Sequence, residues 1–155
     1  MNPDETALRV AMKLRAGEGP TVLFGLGLEA VAEGFAKVSM RVVEEMLNGV
    51  GTCHGGVLFT LADTAFAYAC NSRNSASVAQ HAAISFLNPV HLGQTVWAEA
   101  RETAIEGRTG VYSVIIRTED GQIAATFEGL SRTLGRSILP LTEDRLAAGE
   151  RGAGL

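Results

Sequence analysis

The chain has 155 residues, 46% of them hydrophobic and 19% charged, which is enough for one domain with a single core. Its formal net charge of −4 argues against a nucleic-acid-binding surface, and no apolar run reaches the length of a membrane span. Two cysteines are too few for a disulfide scaffold and the first residues lack a signal-peptide pattern, so we expect a cytoplasmic protein without nucleic-acid or membrane partners.

A helix and then a β-hairpin are predicted in the first third of the chain. Asn2 and Pro3 have the order of an N-cap followed by a first-turn proline, and the glycines from Gly17 onward end this short helix. Strand-like runs at 26–33 and 35–43 flank a single glycine, which suits a tight turn. The hairpin must cover whatever apolar element follows it.

A long buried helix comes next. Residues 56–71 are enough for about four helical turns and are apolar on nearly every face, a pattern typical of a helix inside a core. Strand-like runs follow at 78–87, 96–102, 111–117 and 123–130, and the last three alternate in polarity. Together these elements predict an α+β domain over residues 1–140, with an antiparallel sheet wrapped around the long helix, and a polar, mobile tail at 141–155.

Asp63 is the one charged residue between Gly55 and Ser72. A buried carboxylate is costly unless it has partners or a raised pKa, so it pairs with an arginine, caps a neighbouring helix, or acts as a base or nucleophile in a dry pocket. We interpret Asp63 as a catalytic carboxylate.

A segment of small residues, Cys53-His54-Gly55-Gly56, immediately precedes the same helix. The free amides of a helix N-terminus favour developing negative charge, although the glycines could also simply turn the chain. Gly56 and Asp63 are seven residues apart, roughly 10 Å along a helix, which is too far for both to serve one carbonyl. This spacing favours a dimer with shared sites, formed by two antiparallel helices.

Other chemistries find little support in the sequence. There is no G-x-S-x-G elbow, and Cys53 and His54 are adjacent, so their side chains diverge. The three histidines, His54, His81 and His91, lack metal-ligand spacing. We therefore expect neither a metal nor a cofactor.

The central block resembles the phenylacetate-pathway thioesterases of the hotdog superfamily. The resemblance lies in Met46-Leu47-Asn48-Gly49, Cys53-His54-Gly55-Gly56 and the run from Phe59 to Ser72, and continues in Phe86-Leu87-Asn88-Pro89 and the segment from Gly107 to Tyr112. It covers roughly residues 24–135. It implies a hotdog fold and hydrolysis of phenylacetyl-CoA, hydroxyphenylacetyl-CoA and related thioesters to the free acid and CoA, by a homotetramer built from dimers and without a metal.

The resemblance also implies roles for individual residues. Asp63 matches the nucleophile or general base, and Gly55 matches the amide that polarises the thioester carbonyl from the opposite subunit. His54 and Asn48 match side chains that support the carbonyl or the attacking water. Thr64 matches a hydroxyl beside the carboxylate that helps to place water.

Substrate-binding residues are predicted less directly. Phe59, Phe66 and Tyr68 lie on or beside the catalytic helix, where they either line a ring-sized pocket or fill the core. For the nucleotide of CoA, the candidate phosphate partners are Arg108, Arg132 and Arg136, which could equally be solvated turn charges.

Two alternatives to hydrolysis remain at this point. A hotdog hydratase or dehydratase usually carries an Asp/His pair on the long helix, whereas this helix has no histidine after its start. A non-catalytic acyl-CoA-binding module would have no need for a buried carboxylate facing an oxyanion site. Thioester hydrolysis is the activity that the sequence favours.

Overall fold

The computed structural model describes residues 1–141, in which one antiparallel sheet packs around a central helix. The α-helices are α1 (Pro3–Ala16), α2 (Gly19–Leu23) and α3 (Gly55–Asn71), and a 3-10 helix spans Glu44–Met46. The strands are β1 (Gly27–Ala32), β2 (Phe35–Arg41), β3 (Ser77–Phe86), β4 (Thr95–Glu106), β5 (Thr109–Thr118) and β6 (Ile123–Thr133). The predicted α+β class is confirmed.

Helix α1 begins where the sequence predicts because a capping box closes its first turn. The Asn2 side chain accepts a hydrogen bond from the Glu5 amide at 2.9 Å, and the Glu5 carboxylate accepts one from the Asn2 amide at 3.0 Å. Helix α2 was not predicted. Pro20 lies in its first turn, so the residues that indicate the end of α1 also begin a second short helix.

The sheet has the strand order β1-β2-β4-β5-β6-β3, with every neighbouring pair antiparallel. The β1–β2 hairpin turns at Gly34, whose φ of 72° is costly for other residues. This hairpin joins the sheet through β2 and β4, and β4, β5 and β6 form the expected meander. Strand β3 does not follow β2 but pairs with β6 at the far edge.

Helix α3 is buried because the inward face of the sheet carries small or branched apolar side chains. These are at most 1% exposed on the three central strands and include Ala36, Val38, Val96, Ala98, Ala100, Val114 and Ile116. The sheet also has to leave room for rings on α3. A Cβ at Gly129 would lie 2.8 Å from the ring of Phe66, so this glycine lets helix and sheet approach closely.

The two edges of the sheet differ. Strand β1 is irregular near Glu29 and lies against α1, whereas β3 runs for ten residues with most of its side chains exposed. Val78 and Phe86, near its two ends, are 48% and 53% exposed. Strand β3 is therefore an edge at which a further strand can pair.

Two predictions about the whole chain remain open. The tail predicted at 141–155 lies, apart from Leu141, outside the described residues, and the domain boundary at residue 140 stays a prediction. In the described part of the chain, no helix is both long enough and apolar enough to cross a bilayer.

Candidate active site

The first turn of α3 leaves one amide without an acceptor. His54 is the N-cap, and its Nδ1 accepts a hydrogen bond from the Gly56 amide at 2.9 Å. The His54 carbonyl accepts from the amides of Val57 and Leu58. Within residues 1–141 the Gly55 amide donates to nothing, so it is free to polarise a ligand oxygen.

His54 is held in place from two directions. Its own amide donates to the Met46 carbonyl at 2.8 Å, and the preceding Cys53 amide donates to the Val90 carbonyl at 2.8 Å. Because Nδ1 accepts the Gly56 hydrogen bond, the neutral ring carries its proton on Nε2. The sequence predicted that His54 supports the substrate, and in this structure only the Nε2 side remains available for that role.

Asn48 shapes the loop before the helix. Its Oδ1 accepts from the amides of Val50 and Thr52 at 3.0 and 3.1 Å, and its Nδ2 donates to Thr52 Oγ1 at 3.0 Å. These contacts form an Asx-type turn that leaves one Nδ2 hydrogen for a ligand. Asn48 in this loop and Gly55 in the first turn of α3 therefore each offer one N–H donor to a ligand.

A cavity of about 400 Å³ lies beside this helix start. Its polar residues are Asn48, Thr52, Gly55 and Asn88, and its apolar walls are Cys53, Leu58, Phe86, Leu87, Pro89 and Val90. A mostly apolar cleft with a few convergent polar groups is typical of a small-molecule site.

Asp63 lies half-buried on α3 and is not among the residues that line this cavity. No hydrogen bond or ion pair to its carboxylate is present within residues 1–141. Burial raises the pKa of Asp63 above the usual aspartate range, and the negative charge of Glu18 raises it further. Asp63 is thus a carboxylate without a neutralising partner among the described residues of its own subunit.

Asp63 and Gly55 do not meet in one subunit. They are eight residues apart on one helix, which is about 12 Å along its axis. Thr64 is buried, and its Oγ1 donates to the Thr60 carbonyl at 2.7 Å, so only its oxygen lone pairs are open to a water. One chain therefore assembles the cavity with Asn48 and Gly55 and presents Asp63 elsewhere.

Of the predicted ring-pocket residues, Phe66 and Tyr68 lie in the core, and Phe59 is half-buried against it. Phe59 packs edge-on against Phe127 with ring centroids 5.4 Å apart, and Phe66 contacts both Phe127 and Tyr112. Tyr68 is fully buried, and its hydroxyl points toward the α1–α2 connection. None of the predicted ring residues lines the cavity at Gly55.

A polar cluster near Asp63 was not predicted. The Tyr68 hydroxyl donates to the Glu18 carboxylate at 3.2 Å and lies 3.3 Å from Thr21 Oγ1. Arg15 donates to the Leu26 carbonyl at 3.1 Å, and its other terminal nitrogen is buried without a partner in the described residues. Because Glu18 lies forty-five residues before Asp63, no local pattern links the two.

The three predicted phosphate partners lie around one end of the sheet. Arg132 pairs in register with Thr109, and the Arg108 carbonyl accepts from the Thr133 amide at 2.9 Å. Arg136 lies three residues beyond β6, and all three arginines are exposed. In residues 1–141 none of them forms an ion pair, and no cluster of three or more metal-binding side chains is found there.

The chain is similar to known proteins in family, sequence and structure. A family model described as the thioesterase superfamily matches residues 50–125. Acyl-coenzyme A thioesterase PaaI of Escherichia coli K12 is 46% identical over 114 residues, which make up 74% of this chain and 81% of that protein.

Solved structures agree with this similarity. The E. coli PaaI protein from the phenylacetic acid degradation operon superposes with a TM-score of 0.86 at 39% identity, covering 88% of this chain and 99% of that chain. A Streptococcus mutans UA159 protein bound to acetyl-CoA has a TM-score of 0.70 at 25% identity, covering 72% of this chain and 90% of that one.

The charge of Glu18 gives a testable prediction for Asp63. Glu18→Gln removes the charge but keeps an oxygen that accepts from Tyr68, so the pKa of Asp63 should fall. The measurement is a carbon-13 NMR titration of the side-chain carboxyls. The chain has four aspartates, and the signal that is missing in Asp63→Asn identifies Asp63. Glu106→Gln, on the exposed β4–β5 turn, is the control, and an unmoved Asp63 titration in Glu18→Gln would contradict the coupling.

Proposed function

The chain belongs to the thioesterase superfamily and is an acyl-CoA thioesterase, and we propose that it hydrolyses phenylacetyl-CoA or hydroxyphenylacetyl-CoA in aromatic-acid catabolism. The predicted hotdog fold and the resemblance to phenylacetate-pathway thioesterases are confirmed. The observation that carries the proposal is the free Gly55 amide at the start of α3, which opens onto an apolar cleft. The relative from the phenylacetic acid degradation operon supports the aryl-acetyl substrate class.

The Gly55 amide is placed to stabilise the thioester oxygen. In the tetrahedral intermediate that oxygen becomes negative, and an amide about 3 Å away, at the positive end of a helix, stabilises it more than it stabilises the ground state. The Nε2 hydrogen of His54 and the remaining Nδ2 hydrogen of Asn48 are the further donors available. Because His54 Nδ1 accepts from the Gly56 amide, the Gly55 amide is the one left in the first turn for the ligand.

Two routes use Asp63 as the catalytic carboxylate. As a general base, Asp63 takes a proton from water while the hydroxide adds to the carbonyl carbon, and the C–S bond then breaks to release CoA thiolate, which is protonated. As a nucleophile, Asp63 adds to the carbonyl and expels the thiolate, and water then cleaves the resulting anhydride. Both routes require the ionised form of Asp63.

The site needs two subunits. Within one chain, Gly55 and Asp63 are eight residues apart, about 12 Å along α3. Two α3 helices that run antiparallel across a two-fold axis instead place each Asp63 beside the N-terminus of the partner helix. The free edge of β3 is the surface that offers such a pairing. We further propose that two dimers form a tetramer, and the exposed Val22 and Leu23 at the α2 end of the molecule are apolar groups available to that contact.

The arginine cluster defined by Arg108, Arg132 and Arg136 is proposed to bind the phosphates of CoA. These guanidinium groups form no ion pair within residues 1–141, and guanidinium binds phosphate through two parallel hydrogen bonds. Arg132 pairs in register with Val78, so the cluster lies beside the opposite end of β3 from Phe86. An antiparallel pairing of two β3 edges brings the cluster of one subunit toward the cleft of the other.

The cellular setting completes the proposal. Cys53 and Cys70 are free thiols, and burial raises the pKa of Cys53 to about 11, so it stays protonated and unreactive at neutral pH. Free thiols suit a reducing compartment. We propose a cytoplasmic location.

The first test concerns the carboxylate. Asp63→Asn keeps the shape of the side chain but removes the base, so kcat for phenylacetyl-CoA should fall by about 10² or more. Binding of a non-hydrolysable thioether analogue, measured by calorimetry, should be retained. Asp120→Asn, on the turn between β5 and β6, is the control, and an Asp63→Asn variant with most of its turnover would rule out the assigned role.

The second test concerns the shared site. Gly55→Pro removes the amide hydrogen at a helix position that accepts proline, and His54 with ψ of 135° is compatible with a following proline. Gly55→Ala keeps the amide and is the steric control. Mixing Gly55→Pro with Asp63→Asn subunits should restore about a quarter of the wild-type rate, because half of the random dimers have one intact site. No recovery after subunit exchange is shown by mass spectrometry would refute shared sites.

The third test concerns the nucleotide. Arg132→Ala should raise KM for phenylacetyl-CoA by about 2- to 5-fold without changing kcat, the effect expected from one exposed ion pair. The thioester of pantetheine, which lacks the nucleotide, should be hydrolysed equally well by both proteins. Arg117→Ala on the outer face of the sheet is the matched control. If Arg132→Ala lost the same fraction of kcat/KM with both substrates, Arg132 would not act on the nucleotide.

A further inference from the structure

Phe86 fills the space that a side chain at Gly55 would occupy. A Cβ built at Gly55 would lie 2.9 Å from Cζ of the Phe86 ring and 3.2 and 3.3 Å from its two Cε atoms. The tip of this ring therefore rests against the backbone of the residue whose amide is free. No sequence pattern brings these two residues together, since they are thirty-one positions apart.

The backbone of Phe86 is fixed by its neighbours. It pairs with Ala125 as the last residue of β3, and the amides of Leu87 and Asn88 both donate to the Ala124 carbonyl. Asn88 Nδ2 also donates to the Ile123 carbonyl at 2.8 Å. The ring is consequently held at the cleft by a rigid strand end.

About half of Phe86 is exposed in the part of the subunit that the structure describes. It is 53% exposed and lines the cleft with Leu58, Leu87 and Val90. Phe59, which is half-buried, and Phe66, which is buried, pack against the core ring of Phe127 instead. Phe86 is thus the aromatic ring that the described structure offers to a ligand at Gly55.

We propose that Phe86 is a specificity-determining residue, whose ring packs against the acyl group and favours aryl over saturated rings; this inference rests on the proposed function. A thioester carbonyl within about 3 Å of the Gly55 amide has its acyl carbons next to the Phe86 ring, which touches the same residue. Aromatic pairs gain attraction beyond the area that they bury, because the negative ring face meets the positive ring edge. A saturated ring of the same size lacks this attraction between ring face and ring edge.

The test compares phenylacetyl-CoA with cyclohexylacetyl-CoA, which has a saturated ring of similar size. In Phe86→Leu and Phe86→Met the ratio of kcat/KM for the two substrates should fall by about 3- to 10-fold, whereas Phe86→Tyr should keep it. Two apolar replacements are used so that a packing defect in one does not decide the result. Phe86 is half exposed at the end of an edge strand, so neither replacement leaves a closed cavity.

The outcomes separate this inference from the proposed function. Wild-type protein that releases no thiol from either substrate would reject the function itself. Hydrolysis with an unchanged ratio in both apolar variants would overturn the role of Phe86. An equal loss for the two substrates would also overturn it, because the ring would then contact the CoA arm and not the acyl group. Light scattering of each variant confirms that its assembly matches the wild type.

Discussion

The hydrogen bond between His54 Nδ1 and the Gly56 amide determines how α3 can be used. A helix begins with amides that lack intrahelical acceptors, and here the cap and the His54 carbonyl satisfy those after the first. The Gly55 amide is left as a single, directed donor. Because His54 is itself fixed to Met46, the donor is preorganised before any ligand arrives, which is what stabilisation of a transient oxyanion requires.

The apolar character of α3 imposes the rest of the arrangement. A helix that is hydrophobic on every side has to be enclosed, so the sheet wraps around it with alanine and valine on its inner face. If the sheet enclosed α3 completely, Asp63 would have neither water nor a partner. The carboxylate instead lies on the half-buried side of the helix, close enough to the Glu18 charge for its pKa to rise further. The same helix thus supplies a donor at one end and a carboxylate in the middle, and a two-fold axis can combine them.

Local patterns in the sequence were sufficient for elements whose signals lie within a few residues. The Asn2 N-cap, the Gly34 turn and the long apolar run of α3 were all predicted, and Asp63 stood out as the one charge on that helix. Long-range pairing was not accessible in this way. The position of β3 beside β6, the contact of Phe86 with Gly55 and the hydrogen bond of Glu18 with Tyr68 each join residues thirty or more positions apart. Helix α2 was missed because proline both ends one helix and begins another.

The strand order has a consequence for how the chain folds. Strand β3 is made directly after α3, yet its partner β6 is the last strand of residues 1–141 to leave the ribosome. Until then β3 is unpaired on both sides, and α3 lacks the part of the sheet that β6 and β3 provide. Such non-local closure slows folding and exposes apolar surface in the meantime. Nascent chains that stop before β6 therefore expose the unpaired strand β3 and part of the apolar surface of α3. We expect chaperones to bind these chains most strongly.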